Sequence, residues 1–170
     1  DGEHIWTLSP NCLKYWHCDR SICLRTIAVV DGRCLCVSGE SVFVGTAGGA
    51  IQRLKVDNMS ELKTILQHPQ PVCSLASKPG DLIAAAFSDK VILIQRDRPV
   101  QTFTPATGTI TTAGFFKDTH LYVVHGGTLT FYGLSGFASE RHLQVPPGET
   151  IIQVIPPQLL ITEKAIYRLS

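Results

Sequence analysis

Long apolar runs are missing from this sequence: the longest, Leu82 to Phe87, falls far short of the ~20 residues a membrane-spanning helix needs. Its first residues, Asp1-Gly2-Glu3-His4, carry neither the basic start nor the apolar stretch of a signal peptide, so no membrane insertion is expected. Charge is also scarce, at 17% of residues and a net +1, and the fifteen Lys and Arg residues are scattered. Without a basic stripe there is nothing to neutralise a row of phosphates, which argues against nucleic acid as a partner. The six cysteines, Cys12, Cys18, Cys23, Cys34, Cys36 and Cys73, include no C-x-x-C pair. They read as free thiols of a reducing compartment, which places the protein inside the cell, in cytoplasm or nucleus. Asn58-Met59-Ser60 fits a glycosylation acceptor, but so short a pattern arises by chance in intracellular chains.

Apolar residues are abundant, at 44% of 170, enough for a sizeable core and more than a disordered chain carries. Their arrangement is periodic. Apolar segments beginning at Ile5-Trp6, Val42-Phe43-Val44, Leu82-Ile83-Ala84, Leu121-Tyr122-Val123 and Leu159-Leu160-Ile161 each precede a turn and a second apolar segment. The second segments end at Trp16, Leu54, Ile94, Tyr132 and Leu169, at intervals of 38, 40, 38 and 37 residues. A period of this length marks a repeat architecture.

Two further strands fill each interval. One is polar: Ser21 to Ile27, Glu61 to Leu66, Pro99 to Phe103 and Arg141 to Val145. The other is apolar: Cys34 to Val37, Val72 to Ala76, Ile110 to Phe115 and Ile151 to Ile155. Short strands bounded by Gly, Pro, Asp and Ser, four to the unit, predict an all-β fold: a partial β-propeller of four-stranded antiparallel blades. The apolar segment is expected innermost and the polar one at the exposed edge, where charge and Pro block further pairing. Leu62, Ile65 and Leu66 fall at helical spacing, but the matching segments carry Pro99 or are β-branched, so no helix is expected. The chain reads as one partial propeller domain over 1–170, with units at about 1–30, 31–68, 69–106, 107–146 and 147–170.

The run from Cys12 to Ile27, with Trp16-His17 at the position of a Trp-Asp dipeptide, resembles the third strand, turn and fourth strand of a WD-repeat blade. The other units depart from that pattern, with Leu54, Ile94, Tyr132 and Leu169 at the Trp position and Lys55, Gln95, Gly133 and Ser170 at the Asp position. At the tight turn where the family often places an Asp stand Pro10, Gly48, Ser88, Gly126 and Glu163. The resemblance is thus to a degenerate WD-like propeller. It implies an intracellular scaffold or substrate-recruiting module of a larger protein, serving ubiquitin ligation, trafficking or signalling.

The spacing gives three complete four-stranded units and a three-stranded remnant at each end, about four and a half blades' worth of strands. An unfinished blade leaves backbone groups unpaired, so the segment is expected to be the C-terminal half of a six- or seven-bladed ring, completed by the same chain or by a partner subunit.

Other candidate chemistry is outweighed by simpler readings. Gly45-Thr46-Ala47-Gly48-Gly49 follows a strand like a phosphate loop, but it lacks the Lys and leads into a strand, which predicts a hairpin turn. His4, Cys12, His17, Cys18 and Cys23 are soft ligands at the wrong spacing for zinc, and Cys34 and Cys36 read as packing. Ser60-Glu61-Leu62-Lys63 has the outline of a Ser-x-x-Lys acyl enzyme, yet falls on an expected exposed edge. Trp6, Trp16 and Tyr132 occupy core-facing strand positions.

No catalytic residue, metal ligand or cofactor is therefore assigned. Loops carry function on a scaffold of packed strands, and one rim is expected to gather the turns between second and third strands and those entering each blade. Asp31, Arg33, His68, Gln70, Asp89, Lys90, His125, Glu149 and Lys164 are its exposed polar residues, and their mixed signs suit a protein or peptide partner. The expected function is a non-catalytic protein-interaction scaffold or substrate-recruiting module. The alternatives are a structural half-propeller completed by a partner subunit, and a propeller enzyme, whose channel would need His or carboxylates that the four apolar innermost segments lack.

Overall fold

The computed structural model describes residues 4–59, 61–106, 108–136, 139–146, 149–155, 159–162 and 164–168. Among them are eighteen strands and no helix. The first sheet holds β1 (His4–Leu8), β2 (Cys12–His17) and β3 (Ile22–Ala28). The second holds β4 (Gly32–Ser38), β5 (Ser41–Thr46), β6 (Ala50–Lys55) and β7 (Lys63–Gln67), and the third β8 (Val72–Lys78), β9 (Leu82–Phe87), β10 (Val91–Gln95) and β11 (Arg98–Phe103). The fourth holds β12 (Ile110–Phe116), β13 (His120–His125), β14 (Thr128–Gly133) and β15 (Ser139–Gln144), and the fifth β16 (Ile151–Ile155), β17 (Leu159–Thr162) and β18 (Ile166–Arg168). Every sheet is an antiparallel meander in chain order. The array is an open partial β-propeller: among the described residues β1 pairs only with β2, and β18 only with β17.

Period-2 alternation explains how one strand serves two cores. On β9, Ile83, Ala85 and Phe87 pack toward the second sheet with Phe43 and Ile51, while Ala84 and Ala86 pack toward the fourth with Leu121 and Val123. On β5, Val42 and Val44 face the first sheet, whereas Phe43 faces the third. Four such cores separate the five sheets. Burial of one large aliphatic or aromatic side chain contributes about 1.5–3 kcal/mol, so these seams dominate stability. Polar bonds stitch the same seams along the innermost strands. Ser77 donates to the Val37 carbonyl at 2.7 Å, the Ala113 N–H donates to Ser74 Oγ at 3.0 Å, and the Lys78 ammonium donates to the Asp118 carbonyl.

The deepest burial lies in the neighbours of the innermost strands: β5, β9 and β13 are buried almost throughout, while β4 and β8 are largely half-exposed. The innermost strand has a sheet partner along one edge only, so its other edge stays open to solvent. One expectation, that Trp16 faces the core, is corrected. In the β1–β2 register it stands opposite Ile5, and its indole N–H donates to Thr7 Oγ1 at 2.9 Å on the face turned away from the second sheet. Trp6 and Tyr15, paired opposite each other with ring centroids 4.5 Å apart, take the opposite face, where Trp6 packs against the core with the second sheet. Tyr132 packs against the core between third and fourth sheets, as read from the sequence, and burial pushes its phenol pKa up.

Glu163 at the last tight turn, Ser60 of the Ser-x-x-Lys outline, and Leu169 and Ser170 of the final segment lie outside the described residues. Lys63 opens the strand β7 and is exposed.

Candidate interaction rim

A feature not visible in composition repeats in four sheets. The innermost strand carries a β-bulge near its start, between Gly32 and Cys34, Val72 and Ser74, Ile110 and Thr112, and Ile151 and Gln153. The extra residues are Arg33, Cys73, Thr111 and Ile152. A bulge leaves its extra residue out of the ladder and re-aims the side chain, and Arg33, Thr111 and Ile152 are exposed as a result. The period of the repeat was legible, but this shared register slip was not, because four different side chains occupy it.

The loops entering each sheet and the turns between second and third strands lie together at the same end as these bulges. Asp31 holds a left-handed φ of 53° just before β4, and its carbonyl accepts the Ala47 N–H at 2.8 Å from the β5–β6 turn. That turn is the Gly-rich segment, and the Gly49 N–H goes to the Thr46 carbonyl at 3.1 Å. Gly49 has a φ of +79°, and a Cβ there would fall 2.0 Å from the His68 carbonyl oxygen. The glycine is required because two loops meet backbone to backbone, not because an anion is cradled.

His68, Gln70, Asp89 and Lys90 form one cluster. The Gln70 N–H donates to His68 Nδ1 at 3.1 Å, His68 Nε2 stands 3.7 Å from Asp89, and Lys90 Nζ stands 3.6 Å from the same carboxylate. Ser88 Oγ donates to Gln70 Oε1 at 3.4 Å. The expected exposure of His68 is corrected: it is 9% exposed, its ring 4.2 Å from that of Phe87. Packing against a core aromatic and capping its own loop account for that burial. His125 is likewise buried, at 8% exposure, with Nε2 2.9 Å from the hydroxyl of fully buried Thr130, which is in turn 3.0 Å from His142 Nδ1. Glu149 is half-buried and accepts a 2.6 Å bond from Thr162 Oγ1. Arg33, Asp31, Gln70, Asp89 and Lys164 are exposed, and Lys90 is half-exposed.

Rim residues the sequence reading passed over include a hydroxyl near the end of the second strand. Thr46 Oγ1 accepts the Ala50 N–H at 3.0 Å, Thr162 Oγ1 accepts the Ala165 N–H at 3.0 Å, and Ser9 Oγ accepts the Cys12 N–H at 3.2 Å. Each closes its turn through a local side-chain bond. A Ser or Thr three or four residues before the next strand was the available signal.

Cys34 and Cys36 have thiol pKa values pushed up to about 12, chiefly by burial, which makes them inert packing groups at neutral pH. All six cysteines are unpaired. Among the described residues no group of three or more His, Cys, Asp or Glu side chains could hold a metal ion, and no helix is long and apolar enough to cross a membrane.

No protein-family model matches the chain, and no curated protein does. Solved structures do, in 1032 chains, so the fold is a widely used one. One of them belongs to a structure described as the crystal structure of the mitotic checkpoint complex. It is similar over 100% of this chain and 63% of its own length, with a TM-score of 0.81 at 17% identity. At that identity the likeness is one of fold, and it agrees with the sheets described above: the chain is an open array of β-propeller blades spanning 63% of the length of the chain it matches.

Proposed function

We propose that this chain is a non-catalytic protein-interaction scaffold, a recruiting module of an intracellular protein, that binds through the rim carrying Asp31, Arg33, Gln70, Asp89, Lys90 and Lys164. One observation supports the reading above the rest. A bulge recurs at the same place in four sheets, and in the second it sets Arg33 outside the ladder beside loops whose other charged groups are of both signs. In the second, fourth and fifth sheets the extra residue is exposed and adds to no core, whereas Cys73 in the third packs against one; where a register slip costs ladder bonds with no gain in packing, a surface role accounts for it. His68, His125 and Glu149 serve the rim by holding its loops.

The measurement is affinity purification of the full-length protein, wild type against Arg33→Ala and against the Asp89→Ala/Lys90→Ala pair. Loss of partners from either variant is expected. An unchanged partner set overturns the rim.

A second reading concerns the end sheets. Ile5 is 51% exposed and Ile166 67%, on sheets that among the described residues have a packed neighbour on one side only. We propose that these faces are covered by further propeller sheets, from the same polypeptide or a partner subunit. Hydrogen exchange should show β1 and β18 amides better protected in the full-length protein or its complex than in this segment alone. Equal protection would refute it.

A further inference from the structure

The opposite rim carries a groove lined by charged side chains. In the β6–β7 ladder Arg53 stands directly opposite Lys63, and Lys55 is two residues along β6, on the same face. Like charges directly opposite each other destabilise a sheet, so three cations here call for an explanation. Arg53 has one counterion: it reaches across the seam to Asp97 at 2.7 Å. Arg96 and Asp97 form the β10–β11 turn with φ values of 51° and 63°, a conformation that non-glycine residues adopt at a cost, so the pair fixes Arg53 as a wall. Lys55 and Lys63 are exposed, and neither lies within 4.0 Å of a carboxylate among the described residues.

Arg53 divides two cavities. One, of about 280 Å³, is lined by Arg53, Lys55, Asn58, Glu61 and Lys63. With Arg53 offset by Asp97, two lysines against Glu61 leave one surplus positive charge. The other, of about 400 Å³, is lined by Gly39, Glu40, Ser41, Arg53, Lys55, Asp57 and Asp81. With Lys55 counted in the first lobe and Arg53 offset by Asp97, its three carboxylates face no further lining cation. Two lobes of opposite sign therefore adjoin at this rim of the second sheet, the acidic one closed on its far side by Asp81 of the third.

We propose that this groove docks an extended segment of a partner protein carrying an acidic and a basic side chain a few residues apart. The acid sits between Lys55 and Lys63, and the base among Glu40, Asp57 and Asp81. Charge count favours a carboxylate over a phosphate in the first lobe, since one surplus positive charge matches a single negative one. The site lies at the opposite rim from the surface proposed above and does not depend on that reading.

The test is binding of fluorescent degenerate peptide pools to the protein: acid-plus-base, acid only, base only, phosphoserine-plus-base and uncharged. The acid-plus-base pool should bind best and weaken about tenfold in K55E/K63E and in E40K/D57K, with strong salt dependence. R33A should bind it like wild type, which separates this site from the other rim. Because all four substituted side chains are exposed, unchanged melting temperatures are expected; should a charge reversal lower one, K55Q/K63Q carries the test. The proposal is overturned if the acid-plus-base pool binds no better than the uncharged or single-sign pools, if the variants bind unchanged, or if the phosphoserine pool binds far more tightly than the carboxylate pool.

Discussion

The middle of the array and its two end sheets are built from the same strand pattern but live in different solvents. In the third sheet, both faces of β9 and β10 are dry: Ile83, Ala84, Ala85, Ala86, Phe87, Val91, Leu93 and Ile94 are buried on alternating sides. In the first sheet only one face is: Leu13 is buried, while Ile5, Ile22 and Leu24 are exposed. Between these two sheets, the near-continuous apolar run belongs to the strand with two neighbours and the mixed one to the strand with a single neighbour.

The sharpest way to break that comparison is to remove one large side chain from each region. Phe87→Ala, at a fully buried site between second and third sheets, should cost about 3–5 kcal/mol in urea denaturation. Ile5→Ala should cost under about 0.5 kcal/mol. Equal losses would mean that the end sheets pack like the middle. Next comes Gly45→Ala, whose new Cβ would fall 2.5 Å from Val72 Cγ1 and 2.7 Å from Cys34 Sγ. Overpacking there should cost about 1–3 kcal/mol, most of it regained by also shortening Val72 to Ala.

Smaller still is the Arg53–Asp97 pair, with side chains 21% and 25% exposed. A double-mutant cycle to Ala should give a coupling near 1 kcal/mol that falls with added salt. The smallest effect at neutral pH belongs to the thiols. Cys34 and Cys36 are raised from the ordinary 9.0 to about 12 by burial, so the native state keeps protons that the unfolded chain gives up. Their contribution is intact below pH 9 and is lost as pH climbs toward 12. Unfolding midpoints should drop through that window and drop less in Cys36→Ala. At neutral pH both should resist a thiol reagent that labels Cys12, Cys18 and Cys23 on the first sheet.

Much of this was readable from residues. Turn chemistry located the hairpins, and the Gly45–Gly49 segment was correctly separated from a phosphate loop because a strand follows it. The fates of His68 and His125 were not readable. A loop histidine looks solvated in one dimension, and only the approach of Phe87 or Thr130 from another strand buries it. Trp16 was misplaced for a related reason: the register that sets it opposite Ile5, and Tyr15 opposite Trp6, decides which aromatic faces the core, and a one-residue choice reverses the face.

What the residues decide alone is local: strands, turns, their period, and the edge strand in each unit, because alternation, turn propensity and charge act over a few positions. What needed the assembled sheets is everything joining residues some forty positions apart. The Arg53–Asp97 bridge, the Ser74 and Ser77 bonds to the next sheet and the two-lobed groove exist because successive sheets stack, and side-chain contacts across a seam leave no periodic trace in a single sequence.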